Sequence, residues 1–344
     1  MAYSTINKSS LYQNTKLYTG NYTDDHAITG VGFQPDLVWI KDRDDTSAHQ
    51  MTDAVRGATK TLYPNTNALE TTDTNYVKSF DSDGFTVGVN NANNQNNANN
   101  VAWNWKANGS GSANTDGSIS STVSVNATAG FSIVKYTGTG ANATVGHGLG
   151  VVPKMILFKN LTTARNWIVY HEGIGNTKFL YLNINTAQST DSTAFNNTSP
   201  TSSVFSIGSN VGGNESGDTI IAYCFAEVAG YSKFSSYIGN LNVDGTFIYT
   251  GQKSSFIMAK RTDSTGDWYM FDNKMTPSNV AGIYHNANKA EADHTTAAYH
   301  IDILSNGFKL RGNGTELNAS GGSYIYMAFG QPIISNSGVV ATAR

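Results

Sequence analysis

Four sequence blocks recur three times in the same order along this chain, and this repetition restricts the possible folds more than any other feature. The first block is an apolar run that ends in lysine: PDLVWIK, PKMILFK and SSFIMAK end at Lys41, Lys159 and Lys260. These lysines are 118 and 101 residues apart, which is the size of a complete domain rather than of a solenoid unit.

The other three blocks follow the first at nearly constant sequence spacings in all three copies. HQMTD, WIVYH and WYMFD begin eight residues after each lysine at His49, Trp167 and Trp268. LYPNTN, LYLNIN and IYHNAN follow, and their tyrosines lie 22, 22 and 24 residues after the lysines, at Tyr63, Tyr181 and Tyr284. VAWNWKA, IAYCFAE and IYMAFGQ form the fourth block. We therefore expect three tandem copies of one domain, covering residues 1–107, 118–230 and 231–344.

The segments between the copies differ in composition. ANGSGSANTDGSISS, from Ala107 to Ser121, predicts a flexible linker or an exposed connection. GYSKFSSYIGN, from Gly230 to Asn240, is rich in aromatic residues, which favours packing against a neighbouring copy.

The composition indicates an all-β protein. Charged residues make up 14%, against roughly 25% in typical globular domains, and aromatic residues reach 11%, the reverse of a disordered chain. Turn pairs such as Asp83-Gly84, Asp244-Gly245 and Asn306-Gly307 separate short apolar runs, and no long helical period stands out. We expect three tandem antiparallel β-sandwich domains, with jelly-roll and lectin-like topologies both open.

Alternation along the strands assigns side chains to faces. The apolar runs of the first block suit strands buried on both faces. In VAWNWKA, side chains Val101, Trp103 and Trp105 share one face. In the second copy Cys224 points to the opposite face from its aromatic neighbours, which predicts a packed thiol rather than a nucleophile.

The tract NNANNQNNANN, from Asn90 to Asn100, looks like a low-complexity segment. Its counterparts show otherwise: Val101 lies 13 positions after Gly88, Ile221 lies 13 after Gly208, and Ile325 lies 14 after Arg311. The tract is therefore expected to be a loop between two strands with an exposed tip. On that expectation, Gly and Ser in its interior would leave the stability nearly unchanged.

The net charge of −3 and the sequence pI of about 6.1 give no basic footprint for nucleic acid. The opening MAYSTINKSSLYQ lacks the apolar core of a signal peptide, and no apolar run approaches the roughly 18 residues of a membrane span. Because Cys224 is the single cysteine, no intrachain disulfide can form. The chain is expected to fold in a reducing cytoplasm.

Polar residues give little indication of catalysis. Asp53, His171 and Asp272 share one repeat position, so we interpret them as polar residues at a strand end. His147 in HGLG is expected to be a turn residue, and GTGAN (138–142) lacks the rest of a P-loop. DRDD (42–45) is a weak calcium candidate, since its equivalents NLTT and RTDS lack the carboxylates. We assign no catalytic, cofactor-binding or metal-ligating residue and expect a non-enzymatic protein without a cofactor.

The [LI]YxNxN motif has two interpretations. Three equivalent sites could bind sugar, with tyrosine stacking and asparagine forming hydrogen bonds. Alternatively, a buried tyrosine precedes a turn in which asparagine side chains bond the backbone. Pro64, next to Tyr63, favours the turn.

Several segments resemble a repeated domain of marine bacteriophage virion proteins, described as tail-fibre or minor structural proteins. They include NKSSLYQNTKLYTGN, GVGFQPDLVWIKDR, SFDSDGFTVG, KYTGTGANATVGHGLGVVPKMILFKN and LSNGFKLR, and they extend over nearly the whole chain. The resemblance implies a lectin-like β-sandwich array in a virion, and it transfers no catalytic or binding residue.

The resemblance implies a tail component that contacts the host surface through a receptor or glycan. The alternative is a purely structural head decoration or adaptor protein, with the C-terminal NSGVVATAR as an assembly contact. A glycan depolymerase is disfavoured because no Asp or Glu pair recurs among the copies. Expected partners are other virion proteins, host glycan and further copies of the chain, without nucleic acid or membrane insertion. The expected location is the virion, after synthesis in the host cytoplasm.

Overall fold

The structure is a computed structural model that describes residues 4–334, which form mostly short antiparallel strands. The C-terminal NSGVVATAR lies outside the described residues. Repeat 1 contains β1 (Gln13–Thr19), β2 (His26–Thr29), β3 (Leu37–Asp42), β4 (Gln50–Asp53), β5 (Lys60–Thr61), β6 (Thr71–Thr72), β7 (Val77–Asp81), β8 (Gly84–Val87) and β9 (Asn99–Trp105).

Repeats 2 and 3 follow the same plan. Repeat 2 contains β10 (Ser112–Asn114), β11 (Ser121–Asn126), β12 (Phe131–Thr137), β13 (Ala143–Gly146), β14 (Pro153–Asn160), β15 (Ile168–His171), β16 (Lys178–Tyr181), β17 (Ser189–Thr190), β18 (Val204–Ile207) and β19 (Thr219–Ala226). Repeat 3 contains β20 (Ser232–Ile238), β21 (Phe247–Tyr249), β22 (Gln252–Arg261), β23 (Trp268–Asp272), β24 (Tyr284–Asn286), β25 (Ile301–Leu304), β26 (Gly307–Leu310) and β27 (Ser323–Pro332).

Helices are limited to single turns in the described residues. The α-helical turns are α1 (Asn91–Asn94), α2 (Val211–Asn214) and α3 (Thr315–Asn318). Three 3₁₀ turns cover Ser9–Leu11, Glu172–Ile174 and Ala297–Tyr299. None of the described helices is long and apolar enough to cross a membrane.

Each repeat contains the same four-stranded antiparallel arrangement. The strand orders are β1-β9-β3-β4, β12-β19-β14-β15 and β20-β27-β22-β23. The second arrangement is part of an eight-stranded sheet that adds β10, β11, β16 and β17, and the third is extended by β24. The same strand order thus recurs three times among the described strands, once in each sequence repeat.

A smaller sheet covers one face of each large sheet. Its strand orders are β2-β8-β7, β13-β18 and β21-β26-β25. In repeat 1, Ile28 and Phe85 of the small sheet join Val38, Ile40 and Ala102 of the large sheet in one apolar cluster. Repeats 2 and 3 have corresponding clusters of their own. The prediction of an all-β protein made of antiparallel sheets is therefore confirmed.

The opposite faces of the three large sheets meet in a fourth core, which all repeats share. Its centre holds one equivalent ring from each repeat: Trp105, Phe225 and Phe329. The ring centroids are 6.3 Å apart for Trp105 and Phe225, 6.0 Å for Trp105 and Phe329, and 6.1 Å for Phe225 and Phe329. Three nearly equal distances between equivalent residues indicate an approximate threefold axis through this triangle.

The shared core changes the interpretation of the repeat. Strand alternation sends Leu37 and Trp39 of β3 into the shared core and Val38 and Ile40 into the core of repeat 1. The first block is therefore apolar on both faces because it separates two cores. The three copies form one body around a common centre, while the limits at 107, 118 and 231 stay predictions.

The connection from Ala107 to Ser121 is ordered rather than a flexible linker. The backbone N–H groups of Ala107 and Gly109 donate to the carboxylate of Asp36 at 2.6 and 2.9 Å. β10 then pairs with β11, although most of its side chains are exposed. In the other connection, Tyr231 and Phe234 are buried in the shared core, as expected for packing against a neighbour.

We predict that all three repeats unfold in one transition, because removing any repeat exposes the shared core. Phe225→Ala should lower the free energy of unfolding by about 3–5 kcal/mol, through lost burial and the resulting cavity. Scanning calorimetry and urea titration would measure this, with the exposed Tyr22→Ala as control, expected within about 0.5 kcal/mol of wild type. Separate transitions for the repeats would contradict the prediction.

Candidate functional site

A buried asparagine organises the same group of loops in each repeat. In repeat 2, Asn214 Oδ1 accepts the backbone N–H of Thr139 at 2.7 Å. Its Nδ2 donates to the carbonyls of Ala141 and Gly208, both at 2.6 Å. Asn214 is fully buried, and one side chain thus fixes the loop after the first strand to the segment that contains the helical turn.

Asn94 and Asn318 make the same contacts in the other repeats. Asn94 accepts from Asn21 N–H and donates to the carbonyls of Thr23 and Gly88. Asn318 accepts from Asn240 N–H and donates to the carbonyls of Asn242 and Gly312. We call each such asparagine the anchor of its loop cluster, which comprises the helical turn and the loops after the first strand and the lysine-ending strand.

Two further contacts repeat around each anchor. A tyrosine hydroxyl donates to the carbonyl just before the anchor, through Tyr18, Tyr136 and Tyr237 at 2.6, 2.5 and 3.0 Å. A glycine two residues after each tyrosine packs closely on the next carbonyls. At Gly138 an added Cβ would lie 2.3 Å from the carbonyl oxygen of Glu215, so a side chain does not fit there.

The asparagine tract is exposed at Asn96 and Asn97, as expected of a tip, but other parts of it are buried. Asn91–Asn94 form the turn α1, Asn90 caps it by accepting the N–H of Ala92, and Asn93 and Asn94 are fully buried. The expectation that its interior tolerates Gly and Ser is wrong at these positions, because Asn94 satisfies buried backbone groups. A sequence signal existed: each anchor lies six residues after a glycine, namely Gly88, Gly208 or Gly312.

The threefold-like axis relates the three loop clusters, and we call the ring of clusters around this axis the rim. A rotation about the threefold-like axis carries each cluster onto the next, so equivalent residues have the same height along the axis. The buried anchors are identical, whereas the surrounding side chains differ: repeat 1 presents amides together with Asp24, Asp25 and the Arg43–Asp293 pair, repeat 2 an Arg165–Glu215 ion pair, and repeat 3 the Arg261–Asp263 pair. A constant scaffold that carries variable loops is typical of a recognition surface.

Asp53, His171 and Asp272 lie at strand ends, as predicted, and each also contacts the next repeat. Tyr223 donates its hydroxyl to Asp53 at 2.7 Å, and Thr15 donates to Asp272 at 2.5 Å. His171 Nδ1 accepts from Gly173 N–H, so Nε2 donates to the carbonyl of Tyr326 at 3.1 Å. Burial lowers the pKa of His171 to about 4, which keeps the ring neutral in this contact.

The [LI]YxNxN motif also joins neighbouring repeats. The indole N–H of Trp167 donates to the Tyr63 carbonyl at 3.1 Å, and that of Trp268 donates to the Tyr181 carbonyl at 2.8 Å. Asn65 and Asn183 accept the backbone N–H groups of His49 and Trp167. These contacts support the structural interpretation of the motif over the sugar-binding one.

The third copy of the motif is displaced from its sequence alignment. His49 Nε2 contacts the Asn286 carbonyl at 3.2 Å, and Trp268 N–H donates to Asn288. Asn286, rather than Tyr284, is therefore the counterpart of Tyr63 and Tyr181. It lies 26 residues after Lys260 instead of 22, so repeat 3 holds four extra residues in this stretch.

The block-ending lysines are fully buried and donate to backbone carbonyls. Lys159 Nζ donates to Arg165 and, across the repeat boundary, to Asn67, at 2.8 and 3.1 Å. Lys260 donates in the same way to Arg261 and Asn185, and Lys41 to Asp42 and Asp45. Burial lowers the pKa of all three to about 8.

The remaining candidates have local structural roles. In DRDD, Asp42 Oδ1 accepts the backbone N–H groups of Asp44 and Asp45 at 2.8 and 3.1 Å. His147 is buried in its turn, accepts Leu149 N–H and contacts the Thr201 carbonyl. Cys224 packs inside repeat 2, where burial raises its pKa. Within residues 4–334 no group of three or more His, Cys, Asp or Glu is placed to hold a metal ion.

Comparison with known proteins identifies one family. The model of the family described as "Domain of unknown function (DUF7483)" matches residues 8–332. No curated protein matches the chain.

We predict that Asn214→Ala lowers the free energy of unfolding by about 2–4 kcal/mol, because buried backbone groups lose their partners. Asn94→Ala should have a similar effect. Urea unfolding would measure both, with Asn96→Ala as the matched control, since Asn96 is exposed in the same tract. Equal stability of the Asn94 and Asn96 variants would contradict the anchor role.

We also predict that the buried lysines make the protein more stable as the pH rises from about 8 toward the ordinary lysine pKa of about 10.4. In this window the folded protein has released these protons while the unfolded chain still holds them, so the free energy of unfolding increases. Below pH 8 these lysines are protonated in both the folded and the unfolded state, so the free-energy cost of burying their charge is fully present. Lys159→Met should reduce the slope between pH 8 and 9.5 in urea unfolding, whereas Lys8→Met, at an exposed site, should not.

Proposed function

The chain belongs to this family of unknown function, and we propose that it is a non-enzymatic component of a bacteriophage virion that contacts the host surface through the rim. The observation that carries the proposal is the set of three anchored loop clusters, in which identical buried asparagines support different exposed residues. Such a rim can place three recognition surfaces on one face of a particle.

The architecture agrees with the resemblance to phage tail-fibre and minor virion proteins. Fusing three copies into one body produces threefold-like symmetry without an oligomer. Each repeat is a two-layer antiparallel unit, and we propose a lectin-like topology for it. The partners would be other virion proteins at one end of the axis and host receptor or glycan at the rim.

The buried ionisable groups described above serve the fold. Asp53, His171 and Asp272 join neighbouring repeats, and Lys41, Lys159 and Lys260 hold loop carbonyls. This use of titratable side chains supports a structural and binding role over glycan cleavage. Release of reducing ends from host polysaccharide by the purified protein would contradict that part of the proposal.

We predict that the purified protein binds cells of the phage's host and competes with phage adsorption. A triple variant with one lysine per loop cluster, Asn96→Lys, Ser216→Lys and Ser320→Lys, should reduce cell binding at least about tenfold. The reason is that three new positive charges would lie in the surface that contacts the host receptor. These exposed residues each lie two positions after an anchor. Flow cytometry with labelled protein would measure the effect.

The control adds the same charge at the opposite end of the strands, through Gln34→Lys, Thr128→Lys and Ala229→Lys, all at exposed positions. It should bind cells as wild type does. Equal loss in both triple variants would indicate a nonspecific charge effect, and normal adsorption of virions that lack the protein would contradict receptor binding.

A further inference from the structure

The outer edge of the small sheet in repeat 3 is unusually apolar. β21 is the edge strand of the β21-β26-β25 sheet. Ile248 is buried, whereas Phe247 and Tyr249 are 44% and 60% exposed. Just before the strand, Ile238, Leu241 and Val243 are also exposed, at 56%, 47% and 58%. Residues 245–252, GTFIYTGQ, contain no charged side chain.

The backbone of the same two residues faces away from the sheet. Leu310 N–H donates to the Thr246 carbonyl, and Thr250 N–H donates to the Asn306 carbonyl. In an antiparallel pair the hydrogen-bonded positions alternate, so residues 246, 248 and 250 face β26. Phe247 and Tyr249 therefore direct their backbone N–H and C=O groups away from β26, and the Tyr249 carbonyl also accepts the hydroxyl of Tyr326 at 3.4 Å.

The equivalent edge in repeat 2 is covered by the chain itself. Thr144 is the counterpart of Phe247, because the next residue in each strand pairs with an equivalent phenylalanine, Phe205 or Phe308. Ile119 N–H donates to the Thr144 carbonyl at 3.0 Å, and Thr144 N–H donates to the Ser118 hydroxyl at 2.9 Å. This edge position therefore accepts an additional extended segment.

The equivalent edge in repeat 1 is flanked by charge. Asp24 and Asp25, just before β2, are 57% and 74% exposed and pair with Lys78 at 2.7 and 2.5 Å. The outward residues of β2 are Ala27 and Thr29, which add little apolar surface.

Charged flanks and covering segments are two ways in which proteins protect sheet edges. β21 is also preceded by a charge, because Asp244 pairs with Lys309 and Arg311. Its outward residues are nevertheless the aromatic Phe247 and Tyr249, and among the described residues no further strand pairs with this edge.

We propose that β21 pairs antiparallel with β21 of a second copy of this chain, which joins the two small sheets across a twofold axis. A register centred on Ile248 places Phe247 of one copy opposite Tyr249 of the other. These are the residues whose backbone groups point outward, so the strand is complementary to itself. Cross-strand aromatic pairs also stabilise antiparallel sheets, and Ile238, Leu241 and Val243 would add apolar contact beside the strands.

Sedimentation equilibrium of the full chain tests this pairing. Wild type should form a concentration-dependent dimer. Phe247→Lys/Tyr249→Lys should raise the dimer dissociation constant at least about 100-fold, because lysine would then oppose lysine at both positions. The matched control, Ala27→Lys/Thr29→Lys, makes the same change on β2 of repeat 1 and should stay within about twofold of wild type.

Hydrogen exchange on the wild-type protein provides a second measurement that does not depend on a variant folding. The amides of Phe247 and Tyr249 should become more protected as the protein concentration rises. Three results would overturn the proposal: a monomer at every concentration, a dimer that the β21 lysines leave unchanged, or amide protection that is independent of concentration. The last would show that the edge is covered within one chain.

Discussion

The inward faces of the three large sheets can be buried only against one another, and the rest of the structure depends on this constraint. Each sheet already has one face covered by the small sheet of its own repeat. Its second apolar face needs the two other repeats, which meet it at the ring triangle of Trp105, Phe225 and Phe329. The repeats are therefore parts of one hydrophobic body.

Polar contacts at the repeat boundaries give this body a defined arrangement. Apolar surfaces are non-directional and could slide past one another, whereas hydrogen bonds such as Trp167 to the Tyr63 carbonyl and Tyr223 to Asp53 fix one register. Contacts at equivalent positions, made by differing side chains, recur in cyclic order from repeat 1 to 2, 2 to 3 and 3 to 1. Backbone carbonyls of a neighbouring repeat are the partners of the buried Lys159, Lys260, His49 and His171, and such partners make buried polar groups tolerable at the boundaries.

The sequence predicts the repeat, the strands and their faces, but not the closure of the ring. Block spacing and alternation place Val101, Trp103 and Trp105 on one face correctly. A strand buried on both faces has the same apolar sequence pattern whether its second face packs against its own repeat or against another repeat. The anchors were missed because Asn94 lies in a tract of similar residues, where burial of one side chain leaves no compositional trace. The sequence alignment of Tyr284 with Tyr63 and Tyr181 is wrong because repeat 3 holds four extra residues before the structural counterpart, Asn286. A similar motif happens to occur at Tyr284, out of register with the other two copies.

One position shows what covalent fusion allows. In an assembly of three identical chains, every substitution enters all equivalent sites together and must suit each of them. Here the boundary position carries aspartate at 53 and 272 but histidine at 171, where a tyrosine hydroxyl or a threonine hydroxyl is replaced as partner by a backbone carbonyl. The side chain at this position therefore donates at one boundary and accepts at the other two. A gene that encodes three copies in series can thus explore asymmetric solutions one boundary at a time, within a framework that still closes as a ring.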